Sequence, residues 1–210
     1  IESEWAGLSV DHPPIYKLNR VFKNGWNPRK ISDLCIAFER ELHKNLADAD
    51  FLITTKDNEK PRTIFPLEIA LDSIRSGFNV GGFLRTAEAF GVAKIHFLGY
   101  SSLPTDPSVQ KTALGTESKI DFQTWPTREE FFAILGKTHY LVALETSETA
   151  VPITQSWPKK PTVLIFGNER FGLDHTALKS VNEIREIPLF GQKNSLNVVV
   201  SAGVVIHEWI

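Results

Sequence analysis

A parallel α/β sheet flanked by helices is the fold this chain of 210 residues predicts, and three observations carry it. From Ile64 onward, short apolar runs alternate with segments of helical pattern. The runs are near-continuous in apolar character, as strands buried on both faces are. Glycine- and asparagine-bearing loops fall at the strand ends, where open α/β sheets bind ligands.

Residues 1–60 read differently and form a small helical N-terminal extension ahead of a main domain over 61–210. Ser32 can cap a helix running to about Leu46, with apolar residues at 34, 35, 38, 42 and 46 near helical spacing. Asp48–Lys60 is polar and connecting, and Pro61 and Pro66 punctuate the entry to the main domain. There the strands are Leu67–Leu71, Ala93–Leu98, His139–Leu144, Thr162–Phe166 and Ile184–Ile187. Between them, Gly81–Phe90 reads as a helix stopped by Gly91. Thr127–Leu135 carries a capping box formed by Thr127 and Glu130. Asp174–Val181 is capped at Asp174, and Ser195–Trp209 is a final helix with Ser195 as its cap.

Composition narrows the function classes. Hydrophobic residues make up 42% and charged residues 23%, values ordinary for a globular protein. The single cysteine, Cys35, allows no intrachain disulfide, no Cys/His cluster suggests a metal, and a cytoplasmic location is expected. The first residues, Ile1 to Trp5, lack the charged and apolar regions of a signal peptide. The longest nearly apolar stretch, Val198–Ile206, is far shorter than a membrane span. A net charge of −2 argues against a uniformly basic nucleic-acid coat. Locally, His12 to Ser32 carries Lys17, Arg20, Lys23, Arg29 and Lys30 with no acidic residue, interleaved with Tyr16, Phe22 and Trp26. Cations for phosphates and aromatic faces for bases suit RNA contact, and the same composition also suits a solvated loop with aromatics docked on a core.

Three loop motifs follow in order. Asn79-Val-Gly-Gly-Phe-Leu-Arg85 lies at a strand-to-helix junction, where Gly77, Gly81 and Gly82 allow a tight turn and close ligand approach. It is neither GxGxxG nor a P-loop, which removes the usual dinucleotide and nucleoside-triphosphate readings. Arg85 in isolation reads as a surface arginine pairing with Glu88. Gly167-Asn-Glu-Arg-Phe-Gly172 follows an apolar strand and puts charge at its end, although a Gly-rich turn before a helix cap has the same look. Ile187-Pro-Leu189 and Ser195-Leu-Asn-Val198 flank a loop. Asn197 in the first turn of an apolar helix demands a specific partner, because an unpartnered amide there is costly.

Together these motifs resemble the three signatures of SPOUT-superfamily RNA methyltransferases of the SpoU or TrmH-like branch. The likeness covers roughly residues 60–210. Leu71-Asp-Ser-Ile-Arg-Ser-Gly-Phe78 and Lys111-Thr-Ala-Leu-Gly-Thr116 resemble further family segments, while Val199 stands where the family more often has serine. The resemblance implies methyl transfer from S-adenosylmethionine to a ribose 2′-hydroxyl of tRNA or rRNA, with no metal. It also implies a C-terminal trefoil knot and a homodimer built on it. It places cofactor contacts at Leu144, Glu145, Gly167, Asn168, Ile187, Leu189 and Leu196. Catalysis falls to Arg85, with Asn79, Glu169, Ser195 and Asn197 orienting substrate and arginine. The final helix, apolar on more than one face, suits either a dimer interface or burial within one protomer. The alternatives are a non-catalytic RNA-binding protein that keeps the fold and a nucleotide-binding oxidoreductase of similar architecture.

Overall fold

The computed structural model describes residues 61–210. The expected Ser32–Leu46 helix, the polar connector, Cys35 and the cations Lys17, Arg20, Lys23, Arg29 and Lys30 lie outside the described residues.

The main domain is a wholly parallel seven-stranded sheet with helices on both faces. In chain order the elements are β1 (Phe65–Asp72), α1 (Gly77–Ala89), β2 (Val92–Leu98), α2 (Pro107–Ala113), β3 (Asp121–Thr124), α3 (Arg128–Leu135), β4 (Tyr140–Leu144), β5 (Val151–Pro152), β6 (Thr162–Phe166), α4 (His175–Lys179), β7 (Glu183–Glu186) and α5 (Val198–Trp209). The strand order is β3-β2-β1-β6-β4-β7-β5.

Side-chain alternation divides the core in two. Leu164 and Phe166 of β6 join Leu67, Ile69 and Leu71 of β1 beneath α1, α2 and α5. Val163 and Ile165 point the other way, to Phe131 and Leu135 of α3 and Ala177 of α4. Each strand named in the sequence is present, with ends moved by one or two residues, and β6 spans Thr162–Phe166 as predicted.

Three elements arise without the expected pattern. α2 begins at a proline in its first turn and ends at Leu114 in the left-handed region (φ 56°). β3 is an exposed edge strand with no buried alternation, and β5 is two residues long. The helix starts also move. α1 begins at Gly77 instead of Gly81, because Ser76 caps it through the Asn79 amide. α5 begins at Val198 instead of Ser195, because Asn197 is the capping residue. Thr127 and Asp174 cap α3 and α4 as predicted, accepting from the amides of Glu130 (3.2 Å) and Ala177 (2.8 Å).

The glycines of the first motif serve packing between helices. A Cβ on Gly81 would lie 2.6 Å from the Val109 carbonyl oxygen of α2, and one on Gly82 would lie 3.0 Å from Val199 of α5. Their missing side chains make room for neighbouring helices. This lets α5 lie along α1, where Phe90 and His207 meet edge-on at 6.2 Å. No described helix is long and apolar enough to cross a membrane.

Candidate active site

The carboxyl ends of β4, β6 and β7 open into a cleft of about 750 Å³, within the usual range for small-molecule sites. Leu144, Glu145, Gly167, Asn168, Ile187, Leu189 and Leu196, the expected cofactor contacts, all line it. Asn79, Glu169, Ser195 and Asn197 line it too, and Arg85 does not.

The 167–172 loop is folded tightly on itself. Asn168 and Gly172 exchange backbone hydrogen bonds of 3.1 and 2.8 Å. A Cβ on Gly167 would stand 2.5 Å from the Leu173 amide nitrogen, so this glycine is demanded by the loop's own backbone. The Asn168 side chain is spent on the scaffold. Its Oδ1 accepts from the amides of Arg170 and Phe171, and its Nδ2 donates to the Ser73 carbonyl at 2.8 Å. Glu145 braces the loop's far end, where its Oε2 accepts from the Leu173 amide at 3.0 Å.

Glu169 turns its carboxylate onto the start of α1. Oε1 accepts from the Ser76 amide (3.1 Å) and from Asn79 Nδ2 (3.0 Å), and Oε2 accepts from the Arg75 amide (3.2 Å). An anion at a helix N-terminus satisfies amides that have no partner within the helix. Burial pulls this carboxyl upward, yet the hydrogen bonds from Asn79 and the backbone outweigh it and leave Glu169 below the usual carboxylate value. The chain of bonds continues. Asn79 Oδ1 accepts from Asn197 Nδ2 at 3.2 Å, and Asn197 Oδ1 caps α5 through the amides of Val199 and Val200. The partner demanded for Asn197 is therefore Asn79 together with the first amides of α5.

The remaining two residues stand apart from this chain. Ser195, in the loop before α5, makes no hydrogen bond with any described residue. Arg85 is exposed on α1 and forms no ion pair with Glu88 or any other described residue.

Sequence reasoning missed Thr146, Arg185 and Glu186 at the cleft. Arg185 is 1% exposed. It pairs with Glu183 at 2.8 Å, donates to the carbonyls of Gln155 and Ser156, and lies 3.8 Å from the Trp157 ring centroid. It pins the 153–157 segment to β7. No spacing in the chain foretells this, because the partners converge only through the pairing of β5 with β7.

The model of the SpoU rRNA methylase family matches residues 66–207. A tRNA (guanosine(18)-2′-O)-methyltransferase of Thermus thermophilus is 31% identical over 147 residues, covering 68% of this chain and 73% of that protein. A 23S rRNA (guanosine-2′-O-)-methyltransferase of Acinetobacter baylyi is 28% identical, covering 78% of this chain and 64% of that one. Among solved structures, the SpoU methyltransferase AviRb of Streptomyces viridochromogenes, crystallised with AdoMet, superposes with a TM-score of 0.63 at 20% identity. That match covers 79% of this chain and 64% of the other. With its three motifs reaching one cleft and the family model matching two thirds of its length, the chain belongs to the SpoU rRNA methylase family.

Proposed function

We propose that this protein methylates a ribose 2′-hydroxyl of tRNA or rRNA, using S-adenosylmethionine held in the cleft at the ends of β4, β6 and β7. The observation that carries the reading is the convergence of all three motifs on that cleft.

The residues present fit the cofactor. Leu144, Ile187, Leu189 and Leu196 offer apolar surface for an adenine, and the strand ends offer backbone amides and carbonyls. When bound, S-adenosylmethionine supplies a sulfonium methyl that passes to the 2′-oxygen as the hydroxyl proton leaves, with S-adenosylhomocysteine as the by-product. The chain's own residues position the reactants. Glu169, Asn79 and Asn197 hold the starts of α1 and α5 in fixed relation, so the 187–197 segment covers the cleft in one arrangement. The unpaired Ser195 hydroxyl is available to the substrate ribose.

Arg85 stays protonated and is a poor base. Its role is to hold the 2′-hydroxyl and an adjacent phosphate, which lowers the cost of the alkoxide. It follows Asn79 by six residues in the chain, about 9 Å along a helix at 1.5 Å per residue, and lies outside its own cleft. A homodimer through α1 and α5 supplies the missing geometry by offering Arg85 to the cleft of the second copy. Phe78 (68% exposed), Val200 (53%) and Val204 (41%) give those helices an apolar outer face that supports this. The return of the chain from β7 to α5, which packs on α1 beyond β4 and β6, is the path on which we place the trefoil knot. Residues 1–60 form the extension that selects the RNA, through Lys17, Arg20, Lys23, Arg29 and Lys30, and the protein works in the cytoplasm.

Calorimetric titration with S-adenosylhomocysteine tests the cofactor site. Wild type binds one equivalent per chain in this reading. No binding, with or without RNA, would leave a non-catalytic RNA-binding relative.

A further inference from the structure

We propose that Phe171 and Tyr100 form a stacking platform at the mouth of the cleft. It would hold an unpaired RNA base next to the methylated nucleotide, with Arg170 and Arg75 facing its phosphates. The inference rests on the RNA methyltransferase reading above and adds to it a specificity-determining surface.

Phe171 is 74% exposed and Tyr100 60%, although rings of this size ordinarily bury most of their surface. Neither sits on a loose loop. The amides of Arg170 and Phe171 both donate to Asn168 Oδ1, at 3.0 and 3.1 Å. The same side chain donates through Nδ2 to Tyr100 Oη at 3.3 Å and to the Ser73 carbonyl at 2.8 Å. One asparagine therefore holds both the Phe171 backbone and the Tyr100 hydroxyl. The turn that carries Tyr100 is anchored next door by Ser101. Its buried hydroxyl shares its one proton between the carbonyls of Leu71 and Leu98 and accepts from the Ile74 amide, all within 3.0 Å.

Two arginines without ion partners flank the rings. The Arg170 guanidinium lies 5.2 Å from the Phe171 ring centroid, and Arg170 and Arg75 have no ion pair among the described residues. Glu169, between them, already accepts from the amides of Arg75 and Ser76. Exposed aromatic faces beside unpaired arginines match a ligand with flat rings and phosphates. Arg170 and Phe171 line the same cleft that the target ribose must enter. A flanking base held there would be covalently joined to the methylated nucleotide and so delivered with it, which favours an RNA base over a protein partner.

The test compares wild type with Phe171→Leu, Phe171→Trp and Tyr100→Leu. Affinity is measured for unfractionated tRNA and for fragmented rRNA in saturating S-adenosylhomocysteine, together with affinity for S-adenosylhomocysteine itself. Loss of one stacked base should weaken RNA binding about 5- to 150-fold in each leucine variant. Phe171→Trp should bind RNA like wild type, and Tyr100→Leu, at a residue that does not line the cofactor cleft, should bind S-adenosylhomocysteine within about twofold of wild type. Leucine variants that bind RNA as wild type does would overturn the platform while leaving the methyltransferase reading intact. So would RNA binding lost only in step with cofactor binding, or a protein partner captured through these rings with RNA affinity unchanged. Wild type that binds cofactor but neither RNA pool would overturn the RNA reading, and the platform with it.

Discussion

Asn79 and Glu169 stand 90 residues apart in the chain and meet at 3.0 Å, amide to carboxylate, at the first turn of α1. The contact joins the first motif to the second, and Asn79 passes it on to Asn197 in the third. Three motifs that look like separate ligand loops are one hydrogen-bonded unit, and its first duty is to cap two helices.

Glu169 should carry a pH-dependent part of the stability. Its folded-state pKa lies below the ordinary 4.5, since hydrogen bonds overcome the upward pull of burial. A depressed carboxylate contributes stability that is fully present above its unfolded pKa and is lost as pH falls through the folded value. Glu169→Gln should therefore be less stable than wild type at pH 7, and the gap should close below about pH 4. Urea denaturation across this range measures it.

Asn197→Ala removes the cap of α5 and the bond to Asn79. A lost cap costs about 1 kcal/mol, which lowers Tm by roughly 2–4 °C in a chain of this size. Asn197→Asp keeps an acceptor for the Val199 amide but loses the donor to Asn79. It should recover most of the melting temperature and little of the activity. Thermal melts read beside turnover separate the two.

Gly167→Ala should damage the site from within. The added methyl meets the Leu173 backbone at 2.5 Å, where no side chain can swing aside. Overpacking of this kind costs about 1–3 kcal/mol, and the displaced loop should weaken S-adenosylhomocysteine binding at least about tenfold. Gly191→Ala has open space at its Cβ and serves as the neutral control. Calorimetry on both variants checks the pair.

Arg85→Ala should bind S-adenosylhomocysteine like wild type and lose nearly all turnover, because the arginine lies outside its own cofactor cleft. Arg85→Lys keeps the charge without the planar fork. Near-wild-type turnover in the lysine variant would remove the geometric role. Mixing Arg85→Ala with a cofactor-site variant should restore part of the activity if the arginine acts on the second copy.

Much of this was legible in the chain because buried parallel strands announce themselves. Thr162–Phe166 is apolar from Val163 onward and proved to be the central strand β6. Edge strand β3, with all four residues exposed, carries no such signal. The cleft residues were legible through motif likeness, but the physical reasons for several differ from those expected. A Cβ on Gly81 would meet α2, and one on Gly167 would meet the backbone of its own loop. Ser195 looked like the helix cap and Asn197 like an interior amide. Asn197 took the cap because its Oδ1 reaches the Val199 amide at 2.9 Å. Arg185, buried and bound to carbonyls from another loop, depends on tertiary convergence that no local pattern encodes.

The decisive experiment incubates the protein with labelled S-adenosylmethionine and, separately, tRNA and rRNA lacking native modification. The RNA is then digested to nucleosides and the methylated product identified by mass spectrometry. A labelled 2′-O-methylnucleoside from one RNA class, absent with Arg85→Ala, is the predicted result. Label on a base, or no label in RNA from a protein that binds both cofactor and RNA, would contradict ribose 2′-O-methylation.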